Sequence, residues 1–206
     1  MMGILGGTFD PIHYGHLRPA QEAMRALRLA ELRVIPTGQS PHRKPVADAQ
    51  ARLHMARLAC AEFPDFVVDD REVRRSGPSY TVDTLRSLRD EIGTQPLCLL
   101  MGSDAFQGIE SWHAWQRLPE LAHLVVMYRP GCTLPSLSVW ARERLVEGVE
   151  QLKRAAAGGL LFQKVTPQPI SGTSLRAALA QSKPVQEWLP APVLAYIRSH
   201  HLYPGV

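Results

Sequence analysis

Gly6-Gly7-Thr8-Phe9-Asp10-Pro11-Ile12-His13-Tyr14-Gly15-His16 is the stretch on which the reading of this chain turns. An apolar run, Gly3-Ile4-Leu5, leads into it. An amphipathic pattern leaves it, with Leu17, Ala20, Met24 and Leu27 at helical spacing. The order expected is strand, glycine-rich turn, helix N-terminus. Such a junction binds anionic phosphate groups, because the first N–H groups of a helix have no intrahelical partner and its dipole favours negative charge. Gly6 and Gly7 carry no side chain, so a ligand can approach the backbone closely. His13 and His16, three apart at the mouth of the helix, can turn both rings to one phosphate. Two other readings of the pair stand beside this one. Metal ligation lacks a third Cys or carboxylate ligand beside them, and the histidines can also be incidental surface residues.

Working outward, strands and helices alternate. Residues 32–36 read as a strand closed by Pro36, followed by a polar, basic loop over 37–45. A helix is expected over 49–63 behind an Asp48 cap, then a short strand at 66–68. The charged segment 70–80, with Gly77-Pro78, reads as a loop or irregular edge. Thr81 is expected to cap a helix to about residue 92, and the apolar run 97–101 to be a strand buried on both faces. Strands at 123–127 and 160–165, a helix over 139–154, a helix opening at 170–176 and another over 192–200 complete the chain. The alternation predicts an α/β fold with a mostly parallel sheet. In such sheets ligands bind beyond the carboxyl ends of the strands. Residues 6–16, 40–44, 102–104, 129 and 171–176 all follow strands or close them, so they are expected on one rim.

The chain has 206 residues, a length that suits one domain over 1–206, with a helical part from about 171 onward packed on it. Hydrophobic content of 45% and charged content of 20% are those of a globular protein in water, and the longest apolar runs are too short to span a bilayer. The N-terminus shows no basic segment followed by an apolar one, so no secretory signal is expected. A net charge of +4 suits an anionic small molecule as well as a nucleic acid, but the basic residues are scattered, which argues against nucleic acid. Cys60, Cys98 and Cys132 are odd in number and widely spaced, as expected of reduced thiols in a cytoplasmic protein. Monomer and dimer both remain open.

Gly7-Thr8-Phe9-Asp10-Pro11 running into His13-x-Gly15-His16 resembles the signature of the nucleotidyltransferase superfamily of HxGH type. Ile170-Ser171-Gly172-Thr173-Ser174-Leu175-Arg176 resembles its second motif, although an ordinary helix N-cap is an alternative for that segment alone. Within the superfamily the chain looks most like the bacterial nicotinate mononucleotide adenylyltransferases. The closer match rests on Pro41-His42-Arg43, Glu72-x-x-Arg75, Pro78-Ser79-Tyr80-Thr81 with Thr84-Leu85, Gly102-x-Asp104 with Trp112, Arg129-Pro130-Gly131, and a C-terminal Leu189-Pro190 with Tyr196-Ile197. Two positions depart from the pattern: Ser40 stands where a second proline is common, and Gly172 where Ser or Ala is usual.

The resemblance implies a Rossmann-like, doubly wound fold and an enzyme of NAD biosynthesis joining ATP and nicotinate mononucleotide into deamido-NAD and pyrophosphate. It places His13 and His16 at the reacting phosphates, His16 on the α-phosphate. Gly6, Gly7, Thr8 and Phe9 would line the ATP site, with Ser171, Thr173 and Arg176 on the β- and γ-phosphates. Arg43 and Arg129 are candidates for the mononucleotide phosphate or the triphosphate, with Lys44 able to substitute for Arg43. Asp104 would contact a ribose hydroxyl beside Gly102. Asp10 either braces the phosphate loop or touches ligand. Trp112 offers an aromatic face to a cationic pyridinium, while the N–H of His113 and the Thr81 side chain or N–H would hold the nicotinate carboxylate. Mg2+ would ride on the ATP phosphates. Trp115 is read as structural, His54, His123, His200 and His201 as packing or surface residues, and His42 as a weak site candidate. The rival readings are the same fold acting on nicotinamide mononucleotide or phosphopantetheine, and a nucleotide-sensing protein without turnover.

Overall fold

The computed structural model describes residues 1–41, 44–131 and 137–204. Along it run β1 (Met2–Gly7), α1 (Tyr14–Leu27), β2 (Glu31–Pro36), α2 (Ala49–Cys60), β3 (Phe66–Val68), α3 (Arg71–Arg74), α4 (Thr81–Ile92), β4 (Leu97–Gly102) and α5 (Ser103–Gln107). Then follow α6 (Leu118–Leu121), β5 (His123–Tyr128), α7 (Val139–Arg142), α8 (Val149–Leu152), β6 (Leu160–Lys164), α9 (Gly172–Ala180) and α10 (Ala191–Ser199). The strands form one sheet in the order β3-β2-β1-β4-β5-β6. That order reverses between β1 and β4, the doubly wound arrangement expected from the alternation of elements.

Neighbours β1, β4, β5 and β6 pair in parallel, so their carboxyl ends share one edge. The register sets Ile4 beside Leu99, Leu99 beside Leu124 and Leu124 beside Leu160, and all four are buried. Each such side chain contributes roughly 1.5–3 kcal/mol by leaving water. Leu97 to Met101 are buried without interruption, as a central parallel strand requires.

The chain forms two compact units. One comprises Met1–Gly6, Ala20–Arg33 and Tyr80–Pro167; the other comprises Gly7–Pro19, Val34–Ser79 and Gln168–Val206. Within the first, Arg89 donates to the carbonyls of Gly93, Gln95, Leu121 and Ala156, joining the end of α4 to two later turns. His123 is buried there, accepting from the Gly159 N–H at 2.9 Å and bonding the Ala155 carbonyl at 3.0 Å, which makes it the packing histidine the sequence suggests. Within the second, the Asp48 carboxylate caps α2 by accepting from the Ala51 N–H at 2.8 Å. The exposed His54 and His200 rings flank Tyr196 at 4.4 and 3.9 Å. Cys60 and Cys98 are free and buried, and burial pushes both thiols up to about 12; Cys132 lies outside the described residues.

Three local expectations are corrected. The continuous helix expected over 139–154 is two single turns, because the chain between them serves β6: Val146 donates to the Leu160 carbonyl at 3.0 Å and Leu160 to that of Arg144 at 2.7 Å. Residues 71–74 of the supposed loop form a helical turn, behind Asp70, whose carboxylate takes Arg57 and Arg74 at 2.9 Å each. Tyr80 rather than Thr81 occupies the cap position of α4, with Thr81 as the first helical residue.

Candidate active site

The residues assigned to the triphosphate fall, Gly6 apart, in the second unit. β1 delivers the chain to Gly7, whose carbonyl accepts from the Thr37 N–H at 2.9 Å. A side chain at Gly6 would meet open space, which keeps the backbone approachable there. At Gly7 a Cβ would come within 2.8 Å of the Phe9 ring, so this glycine makes room for the phenylalanine. Phe9 is buried with φ at +48°, and its ring stands edge-on to His16 at 5.2 Å.

His13 is 2% exposed, and among the described residues neither ring nitrogen has a hydrogen-bond partner. Burial lowers its pKa from 6.5 to about 4, so at neutral pH it carries one N–H and one lone pair. A buried, unpaired imidazole is costly in isolation, and a phosphate oxygen is the acceptor that its N–H lacks. His16 is half-buried and stacks on His13 at 3.8 Å. Its Nδ1 accepts from the His13 backbone N–H at 3.3 Å, which assigns the ring proton to Nε2.

Gly15 is dictated by this packing. A Cβ there would lie 2.8 Å from the His13 ring and 2.9 Å from the Ile170 carbonyl oxygen. The same crowding sets the second motif against the first. Across the first turn of α9, a Cβ on Gly172 would be 4.0 Å from His13 Nε2 and 3.3 Å from Arg176 Nη1, so Ala or Ser fits if the arginine tip yields.

Ser171 caps α9, accepting from the Ser174 N–H at 3.1 Å and bonding its hydroxyl at 2.8 Å. The hydroxyl thus has helix partners, while the N-terminal turn it fixes provides an anion-favouring end. Thr173 is exposed, with its Oγ1 3.5 Å from Arg176 Nη2, and Arg176 Nη1 donates to the Asp10 carbonyl at 2.8 Å. The Asp10 side chain braces the loop: it accepts from the N–H groups of Val46 and Ala47 at 2.7 and 3.1 Å and from the Tyr203 hydroxyl at 2.8 Å.

Arg52 was invisible to motif reasoning. It is 1% exposed and donates to the carbonyls of Thr8 at 2.7 Å, Gly38 at 3.0 Å and Ala47 at 3.2 Å. The sequence signal was a charge inside the apolar stripe of α2, beside Leu53 and Ala56. Tyr203, far along the chain, had no such signal.

The residues assigned to the mononucleotide lie in the first unit, except Arg43, which with His42 is outside the described residues. The Tyr80 ring packs on that of His113 at 4.3 Å, joining the Pro-Ser-Tyr-Thr segment that starts α4 to the Trp112-His113 segment. Trp112 is half-buried after a 3-10 turn, Ile109–Ser111, and its N–H donates to the Ile109 carbonyl at 2.9 Å. Trp115 instead faces Trp140 at 5.1 Å, and Trp140 Nε1 donates to Glu110 at 2.7 Å, so Trp115 is a packing residue as expected. Gly102 ends β4, Asp104 lies in the first turn of α5 and Arg129 follows β5; all three are exposed at the carboxyl edge of the sheet.

A family model described as cytidylyltransferase-like matches residues 4–178, and the chain belongs to that family of nucleotidyl-transferring folds. Within it, the chain is 47% identical to a Halorhodospira halophila protein named "Probable nicotinate-nucleotide adenylyltransferase", over 93% of this chain and 90% of the other. It is 48% identical to an Aeromonas hydrophila protein of the same name, over 98% and 96%. The particular branch is therefore that of the bacterial nicotinate-nucleotide adenylyltransferases. Among solved structures, a Plasmodium falciparum nicotinic acid mononucleotide adenylyltransferase complexed with NaAD shares the fold with a TM-score of 0.74 at 17% identity, over 98% of this chain and 96% of that one.

Proposed function

We propose that this chain transfers the adenylyl group of ATP to nicotinate mononucleotide, giving deamido-NAD and pyrophosphate. The observation that carries the reading is His13: a buried, neutral imidazole without a hydrogen-bond partner among the described residues, stacked on His16 and set beside the N-terminal turn of α9. In the reaction a mononucleotide phosphate oxygen forms a bond to the α-phosphorus as the bond to the bridging oxygen breaks, and pyrophosphate leaves with that electron pair. The nucleophile is already anionic at pH 7, so no general base is needed, and catalysis is positioning with charge stabilisation. His13 and His16 supply N–H donors, and α9 supplies its N-terminal dipole. Tyr80, Thr81, Trp112 and His113 form the group suited to a flat cationic ring bearing a carboxylate.

Among the described residues no group of three His, Cys, Asp or Glu could hold a metal ion. Mg2+ would ride on the ATP phosphates, where it would screen the triphosphate charge. No helix of the described residues is long and apolar enough to cross a membrane. With the free thiols of Cys60 and Cys98, this supports a cytoplasmic site of action.

The test is pyrophosphate release from Mg-ATP with nicotinate mononucleotide, nicotinamide mononucleotide or phosphopantetheine as acceptor. Release with the nicotinate compound in clear preference is expected. Preference for the amide would overturn the acceptor, and silence with all three would leave a nucleotide-sensing protein.

A further inference from the structure

We propose that Tyr203 is a positioning residue for this adenylyl transfer, setting the phosphate loop through its hydroxyl bond to Asp10. The inference rests on the activity proposed above. Residue 10 is held by donors from three distant segments: Val46 and Ala47 on the carboxylate, Tyr203 on the carboxylate, and Arg176 on the carbonyl. Arg52 fastens the same segments again, bonding Thr8 on one side and Gly38 and Ala47 on the other. The phosphate loop is thereby tied twice to residues 46–47, once by an anion and once by a cation, and to Gly38 by the cation alone.

Tyr203 is 2% exposed and its φ is +62°. A non-glycine residue persists in that region only where its surroundings hold it. A buried hydroxyl also needs a partner, and a carboxylate is a strong one. Burial and the Asp10 charge both raise the Tyr203 pKa, keeping the phenol a donor.

This bond has a consequence for a site that binds polyphosphate. A carboxylate in the phosphate loop would repel the incoming triphosphate unless its oxygens were turned away and occupied. Ala47 and Tyr203 share Oδ1, and Val46 takes Oδ2. Loss of the phenol frees part of Oδ1 and loosens the turn between Thr8 and the histidines. Small misplacements of reacting groups cost up to about 10²-fold in rate.

The experiment is a double-mutant cycle of Tyr203→Phe and Asp10→Ala, the second removing the acceptor, read by steady-state kinetics with Mg-ATP and nicotinate mononucleotide and by thermal melting. We expect Tyr203→Phe to lower kcat about tenfold with KM for the mononucleotide changed less than about twofold, and to cost less than about twofold in the Asp10→Ala background. Wild-type kcat in Tyr203→Phe, or losses that simply multiply in the double variant, would overturn the proposal. Should Tyr203→Phe fold poorly, Asp10→Ala tests it alone: an unchanged kcat there overturns it too. Wild-type protein that releases no pyrophosphate would instead overturn the activity on which it rests.

Discussion

The imidazole of His13 lies against that of His16, centroids 3.8 Å apart and planes 24° from parallel. Two imidazolium ions at that separation would repel by several kcal/mol in a half-buried setting. The stack is thus built for at most one positive charge, and burial keeps His13 neutral at pH 7.

That assignment predicts acid sensitivity. With His13 at about 4 folded and 6.5 when exposed, the unfolded chain takes up a proton between those values that the folded chain refuses. Stability from this group is therefore full above pH 6.5 and falls as pH drops toward 4, by about 3 kcal/mol in all. His123, lowered by burial, acts with the same sign. The urea midpoint should be flat from pH 7 to 8 and decline below 6.5, and His13→Asn should remove much of the acid slope. An unchanged wild-type midpoint at pH 5 would contradict a neutral buried ring.

His16 Nδ1 accepts from the His13 N–H, so its ring proton sits on Nε2. His16→Ala should lower kcat by roughly 10²–10³, the scale of one lost transition-state donor, with little change in melting temperature. Turnover at the wild-type rate would remove His16 from the chemistry.

Trp112→Ala should act mainly on KM for the mononucleotide and leave KM for ATP within about twofold, since the ring serves binding rather than the phosphates. Trp115→Ala should instead reduce melting temperature, because its ring packs on Trp140. A swap of these two phenotypes would reverse the roles.

Two glycines of the phosphate motifs should respond differently. Gly15→Ala forces a Cβ into the His13 ring and the Ile170 carbonyl, and should destabilise by about 1–3 kcal/mol with loss of turnover. Gly172→Ala meets the Arg176 tip at 3.3 Å and makes ordinary contact with the Asp10 carbonyl and His13 Nε2, so it should change stability by less than about 1 kcal/mol. Thermal melting of both variants checks the contrast.

Arg52→Lys should cost about 3 kcal/mol. A lysine keeps the charge, but no planar fork can serve three carbonyls at once, and those left buried without a donor are expensive. Equal urea midpoints for variant and wild type would show the three bonds to be dispensable.

The strands and long helices were readable because periodicity and burial coincide in them: Leu17, Ala20, Met24 and Leu27 are all buried on α1. The failures share another cause. Residues 139–154 have helical composition, yet Leu145 pairs with Leu160 beside β6, a demand made by a distant strand. The phosphate motifs announced themselves through glycine and histidine spacing. Arg52 and Tyr203 did not, since Gly38 and Thr8 lie 14 and 44 residues from Arg52 and Asp10 lies 193 from Tyr203, and no local pattern encodes such a bond. The bracing role of Asp10 became visible only through those same partners.

The bonds from Arg176 and Tyr203 to Asp10 span 166 and 193 residues of sequence. The phosphate loop is synthesised well before residue 203, yet its brace from the Tyr203 hydroxyl forms only once that residue is available. A chain that stops short of it carries both histidines without that bond. Molecules clipped before residue 203 should therefore have little transfer activity. Such distant closure also slows folding relative to a site assembled from neighbours.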